Sequence, residues 1–219
     1  MKSFLQYISE DIEVVSDIVR PTEHDWSKVS APDESSRFKN FGKIHKYYSL
    51  HQDSLRNSFV IIHDKSKSVV GEIQNESSEP KTLRVGMFAV HDDHTKKKIG
   101  HSLAVAAYKH LHGKHGYTIH SGSEQSPGAV SIWQDLLNDP KTKKHIHATE
   151  ENPDNFGETK DLGQASKMNP ADIWTSGSRE VRRKAASKGI RMHKYSSLQA
   201  KRAYNTILVL KARKKGKKK

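Results

Sequence analysis

The segment Val90-His91-Asp92-Asp93-His94-Thr95-Lys96-Lys97-Lys98-Ile99-Gly100 sets three consecutive lysines where an apolar run gives way to a helical pattern. Backbone N–H groups at a helix start and neighbouring ammonium groups favour the same partner, a phosphate or pyrophosphate. The chain's 14 histidines raise metal ligation as a second chemistry, because His91, His94, His101, His110, His112, His115 and His120 crowd one stretch. No His-Glu-x-x-His set or comparable arrangement with acidic partners occurs there, and His110 and His112 point to different faces of a helix. The expectation is therefore surface and packing histidines. A serine nucleophile would sit in a Gly-x-Ser-x-Gly turn between strand and helix, and Ser121-Gly122-Ser123 lacks that frame. No Walker phosphate loop is present. The absence of cysteine removes disulfides, thiolate zinc sites, iron–sulfur ligation and cysteine nucleophiles. Trp26, Trp133 and Trp174 have no tightly interleaved basic residues, so they read as core or rim, not as a platform for stacking bases.

Charge gives the wider setting. The 219 residues carry a formal net charge of +13, with 33% hydrophobic and 29% charged residues, which suits one medium core with polar appendages and a polyanionic partner, either nucleic acid or a phosphorylated cofactor. Residues Lys211 to Lys219 hold seven basic side chains in nine positions. Such a tail is expected to be disordered, serving as a non-specific phosphate contact or as a solubilising terminus. Arg179 to Lys194 is a third basic run, read as a solvated helix or loop. No apolar run approaches the roughly 20 residues that span a bilayer, and Glu10, Asp11 and Glu13 stand where a secretory signal would be basic and then apolar. A cytoplasmic protein with no membrane partner is expected.

The elements that must position these residues follow from periodicity. Phe4, Ile8, Ile12, Val15 and Val19 predict a first helix ending before Pro21, followed by loop to about Arg37. Phe59 to Ile62 and Val69 to Ile73, either side of Asp64-Lys65-Ser66-Lys67, predict a hairpin. A third strand runs from Leu83 to Val90. Ile99, Leu103, Ala106, Ala107 and Leu111 predict a long helix from about Ile99 to Lys114, ended near Gly113 or Gly116. A short strand at Tyr117 to His120 follows, and then a helix opening at Ser126-Pro127 and running to about Leu137. From Asp139 to Met168 the sequence is polar and turn-rich, with a strand near His145 to Ala148. Thr206 to Leu210 is the last strand. The order predicts a mixed α/β (α+β) sheet with the long helix as a crossover. We expect one domain over residues 1–212, a polar insertion around 139–170 and a basic tail over 213–219.

At the Val90 to Gly100 junction the sequence resembles the GNAT superfamily of acyl-coenzyme A dependent N-acetyltransferases. Their signature has a strand-ending Val, a short turn, then Arg or Gln, x, x, Gly, x, Gly or Ala at the start of a long helix. Residues Ser121 to Trp133, with Ser126-Pro127-Gly128-Ala129, are similar to the family's strand 5 to helix 4 segment. The Met1-Lys2-Ser3-Phe4 opening and Ala171-Asp172-Ile173-Trp174 look most like bacteriophage-encoded members, which would place the protein in host cytoplasm or virion. The resemblance implies a mostly antiparallel central sheet flanked by helices, with acetyl-CoA (or CoA) bound along Phe88, Ala89, Val90, Lys96, Lys97, Lys98, Ile99, Gly100 and Ser126. It also implies a catalytic base, for which Glu72 and Glu124 are the candidates, each otherwise a solvated surface carboxylate. The acceptor would be an amine of unidentified structure. Three positions depart from the pattern: Thr95 replaces Arg or Gln, Lys98 replaces the first glycine, and Trp133 replaces a frequent general-acid Tyr. The alternative these departures point to is a non-catalytic descendant of the fold, a binding or virion-associated structural protein whose basic tail touches nucleic acid.

Overall fold

The computed structural model describes residues 37–91, 99–122, 127–151, 159–168 and 206–212, with single positions at 29, 173, 183 and 186. These fall into two compact units, residues 29–119 with 212, and residues 120–211.

In the first unit β1 (Phe38–His45), β2 (Tyr48–Asp53), β3 (Ser58–His63), β4 (Ser68–Asn75) and β5 (Thr82–Val90) form an antiparallel meander, each strand beside the one before it. The apolar run Phe59-Val60-Ile61-Ile62 lies at its centre, where both faces of a strand are covered, and in β5 Leu83, Ala89 and Val90 are buried. Helix α1 (Gly100–His115) leaves β5 and returns the chain to β6 (Thr118–His120). The Thr118 N–H donates to the Lys81 carbonyl at 2.9 Å, so β5 and β6 start side by side and run in the same direction, as a strand–helix–strand crossover requires. Leu103, Ala104, Ala107, Tyr108, Leu111 and His112 are the buried stripe of α1, spaced three and four apart. The helix stops at Gly116, whose φ of 71° is the left-handed conformation that closes helix ends and that glycine adopts without strain. Phe41, Phe59 and Tyr117 meet edge-to-face at 5.3, 5.6 and 5.9 Å between ring centroids, an arrangement worth about 0.5–1.5 kcal/mol per pair beyond the area buried. Val60 and Ile62 form a separate apolar cluster with Val29, Phe38 and Val69.

The second unit holds α2 (Pro127–Asn138), the single turn α3 (Pro140–Lys143), β7 (Ile146–Glu151), β8 (Thr159–Gln164) and β9 (Thr206–Leu210). β7 is the middle strand, antiparallel to β8 on one side and β9 on the other. Every residue of β9 is buried. Val130, Trp133, Leu136 and Leu137 bury the inner face of α2, and Asp139 caps α3 by accepting the Lys141 N–H at 2.8 Å.

The mixed, mostly antiparallel α+β class expected from the sequence is what these units show, and the hairpin, the third strand, the long helix, the short strand, the second helix and the last strand lie within a residue or two of their expected places. Beyond these, Phe38 to Asp53 forms two further strands, β1 and β2, directly after Arg37. In the polar stretch from 139 to 168 the strand expected near His145 to Ala148 is present as β7, but a helical turn and a second strand, β8, accompany it, and Thr142, Ile146, Ala148 and Thr149 are buried. The predicted first helix, the run Arg179 to Lys194 (apart from positions 183 and 186) and the tail from residue 213 lie outside the described residues. Among the described residues no helix is long and apolar enough to cross a membrane.

Candidate site at the end of β5

β5 ends at Val90, and the His91 N–H still donates to the Val70 carbonyl at 2.9 Å, so the ladder with β4 runs one residue past the strand. The chain re-enters described structure at Ile99 and turns directly into α1. Ile99 has a helical backbone and offers no side-chain hydrogen bond to the first turn, which contains no acidic residue. That end of α1 carries the positive end of the helix dipole, and among the described residues no side chain caps it. Gly100 packs against the strand end: a Cβ placed on it would stand 3.2 Å from Val90 Cγ2 and 3.4 Å from Val90 Cβ and Cγ1. What its missing side chain allows, then, is close contact of helix start and strand end. Lys96, Lys97, Lys98, Glu124 and Ser126 fall outside the described residues.

Glu72 is fully buried, which corrects the picture of a solvated surface carboxylate. It lies on β4 opposite Val60 of β3 and Ala89 of β5, one position from the register pair Gly71 and Val90 at the strand end. Phe88, Ala89 and Val90 therefore do share one corner of the sheet with Glu72, Ile99 and Gly100. Arg56 Nη2 stands 3.4 Å from Glu72 Oε1. Nothing in the sequence signalled this partner. Arg56 comes from the turn between β2 and β3, and that turn is built on Asp53. The Asp53 carboxylate accepts the Leu55 and Arg56 N–H groups at 3.1 and 3.3 Å and two hydrogen bonds from Arg37, one of them from Nε at 2.8 Å. Burial alone would raise the Asp53 pKa. The Arg37 hydrogen bond, the Arg56 N–H, the Arg37 charge and the Leu55 N–H together outweigh it and hold the carboxyl below its ordinary range.

Other side chains singled out by type take structural parts. Ser121 Oγ accepts the Leu208 N–H at 2.9 Å, and the Ser121 N–H donates to the Leu208 carbonyl at 2.8 Å, a use of serine that completes strand pairing. Trp133 is buried on α2, matching the core expectation. Among the described residues no three His, Asp or Glu side chains converge as a metal-binding group. His147 Nδ1 bonds both carboxylate oxygens of Asp161 at 3.0 Å, and Lys211 pairs with the same carboxylate. No protein family, curated protein or solved structure matches the chain.

Proposed function

We propose that the protein is an acyl-CoA-dependent N-acetyltransferase of GNAT-like architecture whose working corner is the end of β5. The observation that carries this reading is the juxtaposition of a buried carboxylate, Glu72, with the amino-terminus of α1 one strand away, a helix start that no described side chain caps. An acyl transfer to an amine needs those two functions close together: an anion-binding end for the cofactor's phosphates and a base for the ammonium of the acceptor. Acetyl-CoA fits this corner through the N–H groups that open α1, supplemented by Lys96, Lys97 and Lys98, and would supply the activated acyl group. The backbone of Phe88, Ala89 and Val90 would line the thioester, and Glu72, or Glu124 in its place, would take the proton from the attacking amine. The strands outnumber those of the implied fold.

The pairing of Glu72 with Arg56 favours a second reading. A carboxylate already held by a guanidinium serves structure as readily as proton transfer, and a non-catalytic binding or virion-associated protein of the same architecture would keep it for that purpose. One measurement separates the two. Thermal unfolding with acetyl-CoA at 100 times its dissociation constant should show about 2.7 kcal/mol of added stability. No shift at millimolar acetyl-CoA or CoA removes the enzyme reading and leaves the binding protein.

A further inference from the structure

Phe41 sits at an irregularity of β1. In the register with β2, Asn40 faces His51 and Gly42 faces Leu50, and Phe41 has no counterpart. The extra residue is accommodated because Gly42 takes φ of 96°, a conformation side chains resist, and the Gly42 N–H is held by Asn40 Oδ1 at 2.6 Å. The Phe41 carbonyl is thereby turned toward the carboxyl-terminal turns of α1. There it meets two imidazoles: His110 Nε2 at 2.7 Å and His115 Nε2 at 3.0 Å. The two Nε2 atoms are 3.2 Å from each other. His115 packs against the Phe41 ring, tilted by 54° at 4.6 Å between centroids, and both histidines are half-buried, within reach of water.

Three donor atoms with edges of 2.7, 3.0 and 3.2 Å are spaced like one face of a small coordination polyhedron. With metal–nitrogen and metal–oxygen bonds of about 2.0–2.1 Å, neighbouring donors are about 3.4 Å apart in a tetrahedron and about 2.9 Å apart in an octahedron. A point about 2.1 Å from all three atoms therefore exists just off the plane they define. We propose that His110, His115 and the Phe41 carbonyl form a binding site for a first-row divalent transition ion of the zinc class, which clips the end of α1 to the bulge of β1. Water completes the coordination on the open side. Two imidazoles with one carbonyl select against calcium and magnesium, which take oxygen-rich sites. Lys39, whose ammonium lies 5.5 Å from the Phe41 ring, and Lys114, next to His115, add positive charge. Affinity must therefore come from the nitrogen–metal bonds and not from the local field.

The site stands apart from the end of β5, so the acetyltransferase reading and this one fail independently. The test uses the full chain freed of metal by chelation. Zn²⁺ is titrated by calorimetry into the parent, His110→Gln, His115→Gln and the control His63→Gln. Glutamine keeps an amide N–H for the Phe41 carbonyl but is a poor metal ligand, so the fold is preserved while the site is lost. One equivalent should bind in the parent, with affinity at least about 10-fold weaker in either Gln variant of the pair, by analogy with the 10- to 100-fold seen when only the supporting shell of a metal site is altered, and unchanged in the control. Cu²⁺ substituted into the parent should give an electron paramagnetic resonance spectrum with two coupled nitrogens, reduced to one in each variant. Equal affinity in parent and both pair variants overturns the proposal. So does an equal loss in the control, which would mark scattered surface histidines as the ligands, or absence of Zn²⁺ binding in the parent.

Discussion

Replacing Gly100 by Val tests whether the contact between α1 and β5 fixes the corner on which the proposed chemistry depends. An Ala Cβ at this position would lie 3.2 Å from Val90 Cγ2 and 3.4 Å from Cβ and Cγ1, against the 3.5–4.0 Å at which carbon atoms attract best. Val90 would have to give by a few tenths of an ångström. Ala also gains up to about 1 kcal/mol over Gly in a helix interior, and less at the first helical position, so Gly100→Ala should come out near neutral. Val adds two methyl groups to the same crowded space, and overpacking of that kind costs about 1–3 kcal/mol. Val90→Ala removes two carbons from a buried side chain, about 1.6 kcal/mol at roughly 0.8 per carbon before any cavity cost. If the two side chains compete for one space, the double variant Val90→Ala/Gly100→Val should be more stable than the sum of the single costs by about 0.5–3 kcal/mol. Urea unfolding of the four proteins measures this directly. Costs that add to within about 0.5 kcal/mol would refute the packing role and return Gly100 to the part of a glycine kept clear for a ligand.

Asp53→Asn should cost on the order of 3–5 kcal/mol, since it strips the charge from a fully buried carboxylate bonded to Arg37. Because the folded-state pKa is depressed, the carboxylate's contribution is present above its unfolded value, about 4, and is lost as pH falls through the lower folded value. Urea midpoints of parent and variant should therefore converge below about pH 4, and a gap that stays constant with pH would contradict this. Glu72→Gln, with folding checked by circular dichroism, should lower turnover of acetyl-CoA with a responsive amine by about 10²- to 10⁴-fold, or roughly 3–6 kcal/mol of barrier. Undiminished turnover excludes Glu72 as the base and leaves Glu124.

The strands with strong apolar runs were legible because burial on both faces leaves a continuous hydrophobic signature, as in Phe59 to Ile62 and Thr206 to Leu210. α1 was legible from its three-and-four spacing and its closing glycine. β1 was not: Lys39, Asn40, Gly42 and Lys43 interrupt any alternation, and the strand exists because β2 pairs with it across a bulge. The spacing of Tyr48 and Leu50 after the Lys46-Tyr47 turn was the one available signal for the hairpin. β8, Thr159 to Gln164, is exposed at its first three residues and owes its form to β7. At the candidate site the burial of Glu72 follows from where β3 and β5 fall, and its pairing with Arg56 from the turn between β2 and β3, neither of which local sequence around Glu72 encodes. The approach of His110 and His115 to one carbonyl needs both the helix and the bulge.

That bulge also bears on how the protein behaves at high concentration. Among the described residues β1 has a strand on one side only, and a straight edge strand presents a row of N–H and C=O groups on which another chain can grow as an added strand. Here the row is broken twice, at Asn40/Gly42 and at Lys43/His45, and Lys39 and Lys43 project from it. An incoming strand would meet a carbonyl turned away, a change of twist and two ammonium groups within five residues. The same irregularity that brings Phe41 to the histidines thus guards this edge against fibril-like growth, and straightening it by deleting Phe41 would be expected to expose the chain to aggregation.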